Sequence, residues 1–128
     1  MSTVQVSYPA DAHQLTRNLE DNSFWYRHRT AMIIKAIKKF VAGSPIIYDL
    51  GGGNGPITKA LMDEGYTCVL VEAMPDAVAM ARERNIETTI QSSIQDFKET
   101  GLPVVLLADV LEHIEKDTAM LHQLYNQI

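Results

Sequence analysis

The stretch IIYDLGGGNGPITKAL, residues 46–61, determines the fold that this sequence predicts. Residues 46–50 are short, mostly apolar and bounded by turn residues, which indicates a buried strand. Four glycines follow within five positions, and Pro56 stands where a helix favours its first residue. A strand, a glycine turn and a helix N-terminus present free backbone N–H groups and a positive dipole end. The stretch therefore predicts a polar or anionic ligand at the carboxyl end of this strand.

Strands and helices alternate along the rest of the chain. Before the quoted stretch, apolar residues recur at helical spacing from Asn22-Ser23 to Gly43 and predict a first helix. After it, the expected elements are a helix from Pro56, a strand at 67–72, a helix from Pro75, strands at 86–91 and 104–108, and a helix carrying 120–128. The apolar–polar alternation of Ile86, Thr88 and Ile90 indicates one solvated face or a sheet edge. The order of elements predicts an α/β fold with a parallel sheet and right-handed crossovers.

Composition excludes several classes of protein. The chain of 128 residues is long enough for one domain with a core, and we assign residues 1–21 to a tail or helical extension and 22–128 to the core. Eleven basic residues stand against sixteen acidic ones, so no nucleic-acid-binding face is evident. No apolar run approaches the roughly 20 residues of a membrane span, and no secretion signal is visible. Cys68 is the single cysteine, so no internal disulfide is expected. We expect a cytoplasmic protein.

The strand predicted at 104–108 is apolar on both faces, which is typical of a central strand. The first strand is expected to cover one side of it, and nothing in this sequence covers the other. We therefore expect either that the chain is a fragment lacking the strands after the fourth, or that another chain supplies the cover. A homo-oligomer formed through this strand is the corresponding prediction.

The spacing of the glycines narrows the ligand class. Gly51, Gly53 and Gly55 lie two apart, and Pro56 replaces the third glycine of the dinucleotide fingerprint. The lysine followed by Ser or Thr that a phosphate-binding loop requires is absent. Glu72 ends the next strand, where an acidic side chain can accept hydrogen bonds from both hydroxyls of a ribose. These features predict a nucleoside ligand without a required diphosphate.

Four segments together resemble the class I S-adenosylmethionine-dependent methyltransferases, with a domain like types 11 and 12. The segments are IIYDLGGGNG, VLVEAMP, QSSIQDF and LLADVLEHI, and their order and spacing match that family over roughly residues 46–115. The resemblance implies a Rossmann-like three-layer sandwich with strand order 3-2-1-4. It also implies S-adenosylmethionine as the cofactor and S-adenosylhomocysteine as the product.

The resemblance further implies a set of cofactor contacts. The glycine turn, Gly51, Gly52 and Gly53, would pass beneath the methionine part, whose amino group Asp49 would help to hold. Glu72 would bind the ribose hydroxyls. The remaining contacts implied are Ala73 and Met74 against the adenine face, Ser93 and Ile94 at the adenine edge with Asp96 as an alternative, and Ala108, Asp109 and Val110 beside the sulfonium.

The stretch SFWYRHRTAMII resembles the helix that covers the cofactor in part of this family. There an arginine, here Arg29 or alternatively Arg27, would meet the methionine carboxylate, and Trp25 and Tyr26 would help to cover the site. The alternative is that these aromatic residues anchor the helix to the sheet.

Asp109 and His113 are weak catalytic candidates. They lie four residues apart, so one helical turn would bring them together as a His–Asp pair that can act as a general base. The alternative is that His113 only orients the loop after the fourth strand. No metal site is expected. The function predicted is methyl transfer to a small-molecule acceptor. Alternatives are a truncated or non-catalytic cofactor-binding module and, against the evidence of Pro56, an NAD-dependent oxidoreductase.

Overall fold

The computed structural model describes residues 23–128, which form a parallel four-stranded sheet flanked by helices. The predicted tail, residues 1–21, lies outside the described residues. The strands are β1 (Ile47–Leu50), β2 (Cys68–Glu72), β3 (Thr89–Gln91) and β4 (Val104–Leu106). The helices are α1 (Phe24–Phe40), α2 (Pro56–Asp63), α3 (Pro75–Glu83) and α4 (Asp117–Gln127), with a single 3₁₀ turn at Leu111–His113.

The sheet has the strand order β3-β2-β1-β4, and every pairing is parallel. In the register of its centre, Ile47 of β1 is paired with Cys68 of β2 on one side and with Val104 of β4 on the other. This architecture confirms the predicted Rossmann-like α/β fold and its strand order. Because all four strands run the same way, their carboxyl ends lie along one edge of the sheet.

Alternate residues of β1 face the two helical layers. Tyr48 and Leu50 pack in the core cluster that includes Met120 and Leu124 of α4. Ile47 belongs to the opposite cluster, which packs residues of α1 and α2 against the sheet. With helices on both faces, the middle strands are buried on both sides, which explains the nearly continuous apolar runs in the sequence.

The prediction for the third strand was wrong in its length and its alternation. Only Thr89–Gln91 pair with β2, and Ile90 and Thr88 are exposed whereas Thr89 is buried. Ile86 is fully buried, but it packs against Leu70 beneath α3 as part of the turn, not as part of the strand. The buried Thr89 hydroxyl donates to the Ile86 carbonyl at 2.6 Å, which satisfies it locally. Of the two interpretations of this segment, one solvated face or a sheet edge, the second is confirmed within residues 23–128, because β3 is the outermost strand beside β2.

Strand β4 is the other edge of the sheet within residues 23–128. It is shorter than predicted, because Leu107 and Ala108 leave the sheet after Leu106. β1 pairs with its inner side, and its three residues are only partly buried. Self-association through this strand stays a prediction. No helix among the described residues is long and apolar enough to cross a membrane.

Helix α4 is tied to the loop before β4 by a buried glutamine that sequence reasoning missed. The Gln127 side-chain amide donates to the carbonyls of Phe97 and Glu99 at 2.7 and 2.9 Å, and the Leu102 N–H donates to the Gln127 carbonyl at 2.9 Å. Each bond satisfies a backbone group that the loop cannot pair internally. The loop is therefore held against the end of the helix.

The turn before α2 yields a stability prediction. Gly55 has a φ of 84°, and a Cβ there would overlap the buried Ile86 side chain. Gly65 also has a positive φ, 96°, but a Cβ there would meet nothing within 4 Å. Gly65→Ala should cost only the left-handed strain, about 1–2 kcal/mol. Gly55→Ala should cost that plus about 1–3 kcal/mol of overpacking. Denaturant unfolding of both variants measures the difference, and equal losses would contradict the packing argument.

Candidate functional site

A cavity of about 310 Å³ lies at the carboxyl ends of the strands. Its size falls within the usual range for small-molecule sites. Five segments converge on it because the parallel strands all end there: the start of α1, the glycine turn after β1, the end of β2, residues 92–95 after β3, and the residues after β4. The predicted site residues that line it are Arg29, Gly51, Gly52, Gly53, Glu72, Ala73, Met74, Ser93, Ile94, Ala108, Asp109 and Val110.

The Glu72 carboxylate connects two of these segments. One oxygen accepts a hydrogen bond from the Gly53 N–H at 3.0 Å, and the other accepts from the Met74 N–H at 2.7 Å. The residue is only 8% exposed. Each carboxylate oxygen retains a further lone pair, so both can still accept from a ligand hydroxyl. The sequence predicted a ligand role for Glu72 and gave no indication that its carboxylate also shapes the glycine turn.

Asp49 is the predicted site residue that does not line the cavity. It is 1% exposed and lies behind the glycine turn, where one of its oxygens accepts a hydrogen bond from the Thr58 hydroxyl at 2.6 Å. The pKa of Asp49 is raised to about 6, mainly by burial and also by the negative charge of Glu72, against the lowering effects of the Thr58 hydrogen bond and of the Arg29 charge. Its other oxygen has no hydrogen-bond partner within residues 23–128.

Arg29 extends from α1 into the cavity and forms an ion pair with Asp109. Its guanidinium carbon also lies 5.4 Å from the Trp25 ring centre and 5.1 Å from that of Tyr26. Stacking on two aromatic rings holds the charged group in place. Arg27, the alternative candidate, is exposed and does not line the cavity. Trp25 and Tyr26 do line it, although Trp25 is 60% exposed, while Phe24 is exposed and lies outside the lining.

Another part of the cavity wall comes from the segment after β3, whose Ile94 side chain lies next to Gly51. Ser93 and Ile94 line the cavity, and the Ser93 hydroxyl oxygen accepts a hydrogen bond from the Asp96 N–H at 3.1 Å. Asp96 itself is exposed and is not in the lining. Of the two sequence alternatives, Ser93 and Ile94 are therefore the residues placed at the cavity. Lining residues that the sequence reasoning missed are Asn54, Pro56, Ile57, Ser92, Gln95 and Ile114.

Asp109 and His113 both line the cavity, but they are not held together by a helical turn of the expected kind. Asp109 has a left-handed backbone, with a φ of 56°, and the following residues form only a single 3₁₀ turn. The Asp109 carboxylate pairs with Arg29. Glu112 is exposed and lies outside the lining. Within residues 23–128, no cluster of three or more His, Cys, Asp or Glu side chains is arranged to hold a metal ion.

Residues 48–127 match the family model of a methyltransferase domain. The chain belongs to this family. The match includes the glycine turn, Glu72 and the residues after β4, so the predicted membership in the class I S-adenosylmethionine-dependent methyltransferases is confirmed. No curated protein matches the chain significantly.

Solved methyltransferase structures share the fold. A candidate S-adenosylmethionine-dependent methyltransferase from Methanococcus maripaludis is 12% identical, with a TM-score of 0.81 over 100% of this chain and 63% of its own. The plantazolicin methyltransferase, solved with a desmethylplantazolicin analogue and S-adenosylhomocysteine, is 18% identical, with a TM-score of 0.73 over 95% of this chain and 50% of its own. A glycopeptide N-methyltransferase solved with sinefungin is 22% identical, with a TM-score of 0.57 over 73% and 42%. The chain thus spans about half the length of these proteins.

The cavity of this methyltransferase domain fits the family's cofactor, S-adenosylmethionine, which confirms the cofactor prediction at the level of the family. The Arg29 Nε and both polar atoms of the Asn54 amide are buried without a hydrogen-bond partner among the described residues. A Cβ at Gly51 would come within 3.0 Å of the Val110 side chain, so glycine is the residue that fits between the turn and this side chain of the cavity lining. Buried unpaired donors beside an open backbone are typical of a site whose ligand supplies the missing partners.

The buried carboxyl of Asp49 yields a pH prediction. Its pKa is about 6 in the folded domain and about 3.8 in a model peptide. The folded state therefore binds more protons than the unfolded state between these values, and the free energy of unfolding falls as pH rises from about 4 to 6. Asp49→Asn should remove this loss, which is on the order of 3 kcal/mol.

Urea unfolding at several pH values between 4 and 7 measures the effect. The stability of the variant relative to the native chain should increase across that window. The matched control is Glu87→Gln, because Glu87 is an exposed carboxylate that does not line the cavity. A difference that stays constant with pH would contradict the assignment to Asp49.

Proposed function

We propose that this chain is the cofactor-binding core of an S-adenosylmethionine-dependent methyltransferase whose acceptor is a small molecule. The observation that carries the proposal is the joining in one cavity of the Glu72 carboxylate, the open glycine turn and the Arg29 guanidinium. The Glu72 carboxylate suits the hydroxyls of a ribose, the glycine turn suits an aliphatic chain close to the backbone, and the guanidinium suits a carboxylate. These are the parts of one nucleoside–amino acid conjugate. The core is proposed to comprise residues 22–128.

The proposed contacts follow the cavity wall. Glu72 accepts from the ribose hydroxyls with the lone pairs that its two backbone bonds leave free. Arg29 binds the methionine carboxylate, and the backbone of Gly51 to Gly53 lies beneath the methionine chain. The adenine contacts are proposed to be Ala73, Met74, Ser93 and Ile94, and the contacts next to the sulfonium Ala108, Asp109 and Val110. Asp49 acts on the amino group from behind the turn, through a water molecule.

When bound, S-adenosylmethionine supplies a methyl group on a positively charged sulfur, which passes to a nucleophile in line with the carbon–sulfur bond. The residues of this chain contribute alignment and the exclusion of water. Trp25 and Tyr26 cover the cavity from the side of α1. Glu72 and Asp109 add negative charge, which favours a cationic ligand.

The Asp109 and His113 side chains remain the candidates for a base. Both line the cavity at the end of β4, the side on which the acceptor is proposed to bind. A base is required only if the nucleophile arrives protonated. Of the solved methyltransferases of similar fold, one is in complex with a desmethylplantazolicin analogue and another is a glycopeptide N-methyltransferase. The acceptor of this chain is therefore proposed no more specifically than as a small molecule.

Equilibrium titration separates the proposal from its alternatives. The chain should bind S-adenosylmethionine and S-adenosylhomocysteine, and it should not bind NAD. Formation of S-adenosylhomocysteine by the full-length gene product with candidate acceptors then tests transfer. Binding without any transfer would favour the binding module, and binding of NAD alone would favour the oxidoreductase.

Glu72 gives a quantitative test of the ribose assignment. Glu72→Ala should weaken the binding of S-adenosylhomocysteine by about 1.5–3 kcal/mol, roughly ten- to a hundredfold, because a buried charged hydrogen-bond acceptor is lost. 5′-Methylthioadenosine, which retains the ribose but lacks the amino acid, should be weakened equally. Calorimetric titration measures both, and Glu87→Ala serves as the exposed control. An unchanged dissociation constant would rule out the assignment.

A further inference from the structure

We propose that the Asp109 carboxylate occupies the position at Arg29 that the carboxylate of the ligand takes on binding. Cofactor binding then exchanges one carboxylate for another. The proposal rests on the proposed function and adds a selectivity-determining role for Asp109. The ion pair joins α1 to the segment after β4 across the cavity. In the bound chain Arg29 is paired with the ligand and Asp109 is released.

The Arg29 side chain has more contacts and is less exposed than the Asp109 side chain. Arg29 lies over two aromatic rings, at 5.4 and 5.1 Å from their centres, and its side chain is 22% exposed. The Asp109 side chain is 53% exposed. The aromatic contacts keep the guanidinium in the cavity whether or not Asp109 is present. Asp109 is therefore the partner that leaves.

The backbone of Asp109 supports the same conclusion. Its φ of 56° is a left-handed conformation that few residues other than glycine adopt, although aspartate tolerates it better than most. Such a conformation directs the carboxylate toward α1 at some cost in backbone strain. The ion pair with Arg29 offsets that cost. Release of the carboxylate allows the segment after β4 to relax.

Arg29 also has unused binding capacity. A guanidinium carries five N–H donors, and the Arg29 Nε is buried without a hydrogen-bond partner within residues 23–128. An α-carboxylate can occupy two donors at once, which a ligand without a carboxylate cannot do. Asp109 thus competes for the Arg29 guanidinium with ligands that carry a carboxylate, and not with ligands that lack one.

The test compares two ligands that differ in the amino acid part. S-Adenosylhomocysteine carries the carboxylate, and 5′-methylthioadenosine lacks it. Asp109→Asn should tighten the binding of S-adenosylhomocysteine by up to about fivefold, the upper end of the range for a partly exposed ion pair, and leave 5′-methylthioadenosine unchanged. Asparagine also tolerates the left-handed backbone, so the substitution should preserve the fold.

Arg29 variants complete the test. Arg29→Ala should weaken S-adenosylhomocysteine at least tenfold and leave 5′-methylthioadenosine nearly unchanged. In the double variant, the Asp109→Asn substitution should no longer affect either ligand, because there is no guanidinium left to compete for. The matched control is Asp63→Asn, which breaks an exposed ion pair with Lys59 (3.2 Å) outside the cavity and should change neither ligand.

Each other outcome overturns the exchange. Weaker binding of S-adenosylhomocysteine to Asp109→Asn would show that Asp109 assists the binding of the carboxylate-bearing ligand and does not compete with it. Equal changes for both ligands would indicate a purely structural role. An effect of Asp109→Asn that persists in the double variant would show that Asp109 does not act through Arg29. If the native chain binds neither ligand, the proposed function fails, which is a distinct result.

Discussion

The Glu72 carboxylate, which accepts hydrogen bonds from the backbone N–H groups of Gly53 and Met74, is the interaction on which the site depends. It joins the turn after β1 to the turn after β2 across the carboxyl edge of the sheet. A buried carboxylate requires such partners, because desolvation without them costs several kcal/mol. Glu72 also lines the cavity. One side chain therefore shapes the turn and is the proposed hydrogen-bond acceptor for the ligand.

Electrostatics distinguishes the front of the glycine turn from its back. Behind the turn, burial raises the pKa of Asp49 to about 6, and the Thr58 hydroxyl is its hydrogen-bond donor. In front, the Arg29 guanidinium faces Asp109 and two aromatic rings. A cationic ligand with a carboxylate at one end complements this arrangement, because it brings positive charge toward the acidic residues and its carboxylate toward Arg29. This charge arrangement supports the proposal that the domain selects its cofactor by charge as well as by shape.

The elements with strong local signals were predicted well. The glycine turn, Pro56 and the apolar core strands have periodicities and residue types that few other structures use. The third strand was mispredicted because its alternation reflects the packing of Ile86 beneath α3 and a local hydrogen bond of Thr89, both of which depend on tertiary contacts. The buried Gln127 was missed for the same reason, since a glutamine in a helix carries no sequence signal for the loop carbonyls it satisfies.

The sequence by itself determined the fold class, the family and the positions at which strands end toward a ligand. These follow from hydrophobic periodicity and from turn chemistry, which act over a few neighbouring residues. Only the tertiary structure decided that Asp49 lies behind the cavity, that Glu72 supports the glycine turn, and that Arg29 is paired with Asp109. Each of these depends on the direction and burial of side chains far apart in the chain, for which local pattern has no signal.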